Sequence, residues 1–127
     1  MTLLYIAIAG ALGSVARYLL AAGVQRAAAS HTQVPAGTFA VNVIGAFLIG
    51  VVMAVFAARG ELDSRVRITI TIGFLGGFTT YSAFAYETIA LLEGDRIGTA
   101  ALYVGATLIG AGAAAFGGIL VGRAIGG

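Results

Sequence analysis

The sequence has few charged residues and contains neither cysteine nor lysine. Of its 127 residues, 60% are hydrophobic and only 9% are charged, whereas soluble domains carry about 25% charged residues. A water-soluble fold of this length cannot bury so much apolar surface, so the composition indicates a membrane protein. The absence of cysteine excludes thiol chemistry. A net charge of +2, dispersed along the chain, gives no indication of a nucleic-acid partner.

Three long segments contain no Asp, Glu, Lys or Arg, namely 27–58, 68–86 and 97–122. A membrane-spanning helix needs about 20 mostly apolar residues, and the polar stretch SHTQVPAG (30–37) leaves only the second part of the first segment to span. A further apolar run near the N-terminus lacks the basic start of a secretory signal and is too long for one, so we expect it to be retained. The sequence therefore predicts an all-α membrane protein with one domain, residues 1–127. Its four transmembrane helices are predicted at about 3–26, 37–58, 66–92 and 97–123.

The arginines show only a weak bias between the two predicted sides of the membrane. Four lie on the side of the termini and the central loop, and two lie on the other side: Arg59, Arg65, Arg67 and Arg123 against Arg26 and Arg96. Because positive charge sets the orientation of a membrane protein, so small a difference permits insertion in either direction.

Polar side chains form one stripe on each of the second and fourth predicted helices. Thr38 and Asn42 are four residues apart, as are Tyr103 and Thr107, so each pair shares a helix face. Such groups often join helices in membranes, at about 0.6 kcal/mol per hydrogen bond. An amide deep in a span must find partners for both its donors and its acceptor. Asn42 therefore fits an ion pathway as well as it fits an interhelical contact.

Two charged residues fall within predicted helices. Arg17 interrupts the first, and a guanidinium within a span is penalised by about 2.5–3.5 kcal/mol. It is expected either to reach the nearer interface or to line a water-filled vestibule where its charge gathers anions. Glu87 lies near the end of the third helix and is predicted to be an interfacial or vestibular carboxylate, with its role open.

The third predicted helix contains the polar segment GFLGGFTTYSAFAYET (73–88). Its glycine pair weakens a helix by about 1 kcal/mol per glycine, and the threonines and serine that follow offer the backbone other hydrogen-bond partners. The pattern predicts a helix broken near its middle, where freed carbonyls can bind a small cation such as Na⁺. Tyr81 and Phe84 project on the same side beyond the break. Their electropositive ring edges would stabilise a small anion, although such pairs are common in helix packing.

Three motifs, in order along the chain, resemble the Fluc (CrcB) family of fluoride channels. GALGSVARYLL (10–20) resembles the Gly-x-x-x-Arg-Tyr stretch of the family's first helix. GTFAVNVIGAFLIG (37–50) is similar to its second-helix Gly-Thr-x-x-x-Asn-x-x-Gly pattern. GFLGGFTTYSAF (73–84) resembles its third-helix signature, in which a glycine-rich break precedes Thr-Thr-Phe-Ser-Thr-Phe. The resemblance covers essentially the whole chain.

The resemblance implies passive fluoride export across the cell inner (plasma) membrane by an antiparallel, dual-topology homodimer with two pores. It also implies a structural Na⁺ at the dimer centre, held by the backbone carbonyls of Gly76 and Thr79. The residues that it assigns to the fluoride pathway are Asn42, Tyr81, Phe84, Tyr103 and Thr107, to which we add the hydroxyls of Thr38 and Ser82. It places Arg17 in the vestibule, and we assign Glu87 there as well.

Three positions depart from the family pattern. Residue 81 is Tyr where Phe is usual, which adds a hydroxyl that would either donate to the anion or fill pore space. Ala83 stands where Thr is frequent, and Ala111 shortens the predicted row of hydroxyls above Thr107. These departures bear on the conduction rate more than on the identity of the protein.

Two other functions fit a small four-helix membrane protein. A small multidrug-type proton-coupled exporter needs a membrane-embedded carboxylate in its first helix, where this chain has Arg17 and no Asp or Glu. A non-transporting membrane assembly subunit accounts for the glycines but not for the arginine or the polar break. An enzyme is not expected, because the single histidine, His31, lies in a polar loop. The GFLGG stretch also lacks the preceding strand and the lysine of a nucleotide-binding loop.

Overall fold

The computed structural model describes residues 1–60 and 62–127. Four helical spans in it are long and apolar enough to cross a membrane: Thr2–Ala28, Ala36–Arg59, Ser64–Glu93 and Ile97–Gly126. The predicted all-α class with four spans is therefore confirmed, and the predicted limits differ from these by three residues at most. We name the first two spans α1 and α2.

The third span consists of several segments. It starts as α3 (Ser64–Ile68), widens into a π-helix (Thr69–Leu75) and continues as α4 (Gly76–Phe78). The backbone is extended at Thr79 (φ −91°, ψ 158°) and at Thr80 (φ −149°, ψ 112°). Helix α5 (Tyr81–Glu93) follows, and the fourth span is α6 (Ile97–Gly126). The predicted break in the third helix is confirmed.

The break lies at the two threonines rather than at the glycine pair that the sequence suggests. Gly76 and Gly77 are both within α4, and Gly76 has ordinary helical angles (φ −62°, ψ −36°). Gly77 instead permits close packing, because a Cβ there would lie 2.5 Å from the Gly10 carbonyl oxygen of α1. Thr80 starts the next helix as its N-cap, since its Oγ1 accepts the Ala83 N–H at 3.2 Å.

The π-helix was not predicted from the sequence. Two threonine hydroxyls in it return to backbone carbonyls four residues earlier, Thr69 to Arg65 at 2.7 Å and Thr71 to Arg67 at 2.9 Å. Such bonds compete with the regular ladder and bend helices. The widened turns bring Gly73 against Ile6 and Ala9, so α1 crosses the first half of the third span at close range.

Small residues allow the other long helices to pack closely. A Cβ on Gly118 of α6 would overlap the Phe47 backbone of α2, and a Cβ on Gly50 would overlap the carbonyl of Ala115. Because no hydrophobic force joins helices in lipid, such close backbone contact stabilises their packing. Large apolar side chains such as Leu3 and Ile109 point outward, as a lipid-facing surface requires.

Candidate functional site

The side-chain amide of Asn42 contacts the backbone of the break. Its Nδ2 donates to the Thr80 carbonyl at 2.9 Å, and its Oδ1 accepts the Thr80 N–H at 2.8 Å. One face of α2 therefore joins the interrupted backbone of the third span through two hydrogen bonds. These two bonds use two of the amide's four hydrogen-bonding positions, because Nδ2 keeps a second N–H and Oδ1 keeps a second lone pair.

Gly45, one turn beyond Asn42, brings α2 close enough for this contact. A Cβ at this position would overlap the Thr79 methyl group. The glycine of the second-helix motif thus accommodates Thr79, while the asparagine of the same motif binds Thr80. The two motifs that carry the family resemblance in α2 and the third span meet at one point in the structure.

A carboxylate binds two hydroxyls at the outer part of the site. Thr38 Oγ1 donates to Glu87 Oε1, and Tyr103 OH donates to Glu87 Oε2, each at 2.7 Å. Thr38 is 8% exposed and Tyr103 is fully buried. The sequence placed Thr38 and Tyr103 on the two polar stripes but did not bring Glu87 between them. In the structure these three side chains, from α2, α5 and α6, form one cluster.

An aromatic row leads inward from this cluster. The ring of Tyr103 lies 5.1 Å from that of Phe84, and Phe84 lies 6.0 Å from Tyr81, with interplanar angles of 59° and 57°. Tilted rings turn some of their edges toward the surrounding space, and ring edges are electropositive. The predicted pair is therefore extended by a third ring, which the sequence spacing did not indicate.

Thr107 lines a pocket at the end of this row. The pocket has a volume of about 270 Å³ and is lined by Asn42, Tyr81 and Phe84, among others. Thr107 is only 7% exposed, and its Oγ1 has no hydrogen-bond partner among the described residues. A buried hydroxyl without a partner is costly, so Thr107 Oγ1 is a candidate donor beside this pocket. Ala111 also lines it and supplies no hydroxyl.

Arg17 lines a larger, open pocket of about 690 Å³ between α1 and α5. Glu87 and Thr38 line the same pocket, so it joins the guanidinium to the hydroxyl cluster. Ser82 also lies on its wall, with its Oγ 3.4 Å from Thr80 Oγ1. No carboxylate lies within 4.0 Å of the Arg17 side chain among residues 1–60 and 62–127. The guanidinium therefore forms no ion pair among the described residues, although the Glu87 carboxylate lines the same pocket.

The carbonyls of Gly76 and Thr79 lack their usual helical partners. In a regular helix they would accept from the N–H groups of Thr80 and Ala83. Here the Thr80 N–H donates to Asn42 and the Ala83 N–H donates to Thr80 Oγ1. Two backbone oxygens are thus left available for a hard cation.

Known proteins similar to this chain agree in pointing to one family. The family model described as CrcB-like protein, Camphor Resistance (CrcB), matches residues 4–119. The chain belongs to the CrcB family. CrcB relatives include a protein of Geobacter sulfurreducens, 52% identical over 103 residues, which are 81% of this chain and 82% of the relative. Another, from Caulobacter vibrioides, is 43% identical over 124 residues, 97% of this chain and 96% of the relative. Both are named fluoride-specific ion channel FluC.

Membership of the CrcB family agrees with the membrane-spanning helices and identifies a multi-pass membrane protein rather than an enzyme. The sequence motifs indicate the family, but two features of the site were not predicted from them. One is the Glu87 cluster, whose signal was the position of Glu87 one turn beyond the aromatic pair. The other is the bond between Asn42 and Thr80, for which no local pattern exists because 38 residues separate the partners.

Proposed function

We propose that this chain is a fluoride-specific channel of the bacterial plasma membrane that exports fluoride passively. The observation that carries the proposal is the buried Thr107 hydroxyl, which lacks a partner among the described residues, beside a pocket that Thr107 lines together with Asn42 and Phe84. A hydroxyl, an amide N–H and ring edges are donors or positive edges, so they suit an anion rather than a cation.

The side chains of the site would replace the hydration shell of the ion in steps. Arg17, which forms no ion pair among the described residues, attracts the anion to the open pocket. The hydroxyls of Thr38 and Tyr103 come next, and the ion must compete there with the Glu87 carboxylate that now holds them. Phe84, Asn42 and Thr107 surround the inner pocket. Several weak sites in series allow the ion both to enter and to leave.

We further propose that two copies assemble as an antiparallel homodimer with two pores. Tyr81, which lines the inner pocket, is 81% exposed on a single chain. A lone copy thus leaves one wall of the pocket open to lipid, and a second copy would close it. The weak arginine bias of the sequence is compatible with insertion of the copies in opposite directions.

A structural Na⁺ between the copies fits the free carbonyls of Gly76 and Thr79. Backbone oxygens at a helix break are suitable ligands for this ion, and two copies would supply four of them. When bound, the ion would add positive charge near the anion pathway and join the two subunits. The chain itself keeps these oxygens available by directing the Thr80 and Ala83 N–H groups to side chains.

Fluoride efflux from liposomes tests the proposed function. Purified protein is reconstituted into vesicles loaded with potassium fluoride, valinomycin is added to balance charge, and an electrode records external fluoride. We expect rapid fluoride efflux and no efflux from matched vesicles loaded with chloride. Fluoride efflux no faster than from protein-free vesicles would reject the channel function.

A further inference from the structure

Thr80 adopts a conformation that suits a single side-chain amide. In extended backbone the N–H and the C=O of one residue point to the same side, as in a hydrogen-bonded pair of an antiparallel sheet. In a helix they point in opposite directions along the axis. The angles of Thr80 (φ −149°, ψ 112°) are extended, and Asn42 binds both its N–H and its C=O.

We propose that Asn42 is a positioning residue whose amide holds Thr80 extended and thereby keeps the third span interrupted. An amide group has the acceptor and the donor that this pairing needs, side by side. If Thr80 became helical, the amide would lose at least one of the two bonds. The Thr80 N–H would then return to the Gly76 carbonyl, which the break leaves available.

The same pairing determines which side of the amide faces the inner pocket. Oδ1 is occupied by the Thr80 N–H at 2.8 Å, so the electronegative end of the amide is turned toward the backbone. One N–H of Nδ2 is used by the Thr80 carbonyl at 2.9 Å. The second N–H has no partner among the described residues, so it is the donor that Asn42 would offer to an anion in the pocket that it lines with Thr107. This step rests on the proposed channel function, whereas the pairing itself does not.

Hydrogen exchange of the Thr80 amide tests the positioning role directly. It is measured in fluoride-free buffer, where a residue that served only as an anion ligand would have no effect. We expect Asn42→Ala to accelerate exchange at Thr80 roughly thirtyfold, the factor that two ordinary hydrogen bonds contribute. Thr107→Val is the matched control, because it removes a hydroxyl from the same pocket without touching Thr80. It should lower fluoride efflux and leave the exchange rate at Thr80 unchanged.

Asn42→Asp provides a second test that does not depend on the folding of the alanine variant. A protonated carboxyl can accept and donate as the amide does, whereas a carboxylate has no donor for the Thr80 carbonyl. Protection of the Thr80 amide, relative to wild type at the same pH, should be present near pH 3, below the ordinary pKa of an aspartate, and lost near pH 8. Equal exchange in wild type and Asn42→Ala, or equal relative protection of Asn42→Asp at both pH values, would overturn the proposal. Fluoride efflux by the wild type decides the channel function separately.

Discussion

Replacing Thr107 with valine should make the protein more stable and less active. Valine has nearly the shape of threonine, so the change removes a hydroxyl without opening a cavity. Thr107 Oγ1 is buried and has no partner within the described part of the chain. Such a group costs about 1–3 kcal/mol. We therefore expect Thr107→Val to raise the free energy of unfolding by about 1–3 kcal/mol in the absence of fluoride, and to slow fluoride efflux.

Thermal unfolding in detergent, with and without fluoride, measures both parts of this prediction. A ligand that binds only the folded state raises the unfolding temperature, so fluoride should stabilise the wild type. In Thr107→Val the unfolding temperature should start higher and respond less to fluoride. The matched control is Thr88→Val, because the Thr88 hydroxyl donates to the Phe84 carbonyl of its own helix at 2.8 Å. Its loss should change neither efflux nor the response to fluoride.

A Thr107→Val variant that unfolded at a lower temperature than the wild type while conducting fluoride at the same rate would contradict this role of Thr107. That result would mean that the hydroxyl binds a structural partner, such as a second copy of the chain, rather than the ion.

Three further predictions concern the helix packing, the Glu87 cluster and Arg17. Gly45→Ala should prevent conduction and destabilise the fold, because the added Cβ would overlap the Thr79 methyl group. Gly105→Ala is the control, because nothing lies within 4 Å of its added Cβ, and it should stabilise α6 by about 1 kcal/mol. Equal thermal unfolding of the two variants would contradict this prediction. Tyr103→Phe removes one of the two hydroxyls bound to Glu87 and should lower the free energy of unfolding by about 1–3 kcal/mol. An unchanged unfolding curve would show that the hydrogen bond between Tyr103 and Glu87 does not stabilise the fold. Arg17→Gln should slow fluoride entry by up to about tenfold at low salt and less at high salt, and an effect independent of salt would exclude electrostatic attraction.

The sequence predicts the spans of this protein well because their signal is local. Each span is a long apolar run between charged or polar residues, and the lipid leaves a chain few alternatives to a helix. The break in the third span was also predictable, since glycines and threonines adjacent in sequence weaken the helical ladder. The exact position of the break was harder to predict. Gly76 and Gly77 stay helical, and the break falls where Thr80 caps the following helix with its side chain and binds Asn42 with its backbone.

The parts of the site that were not predicted depend on contacts between distant residues. Glu87 is 49 residues from Thr38 and 16 from Tyr103, and no spacing rule joins helices across such intervals. The missing partner of Thr107 is likewise visible only once the surrounding helices are in place. The family motifs identify Asn42 as a site residue, but its hydrogen bonds to the backbone of the break are visible only in the folded structure.

The interrupted third span also affects how the chain enters the membrane during synthesis. Helix α5, with 13 residues, rises only about 20 Å, which is too short to cross a hydrocarbon layer of about 30 Å alone. The extended residues between the two halves of the third span would expose unpaired peptide groups to the acyl chains if this span moved into the lipid by itself. Asn42, the side chain that satisfies them, is synthesised 38 residues earlier. The ribosome therefore delivers the partner before the segment that depends on it.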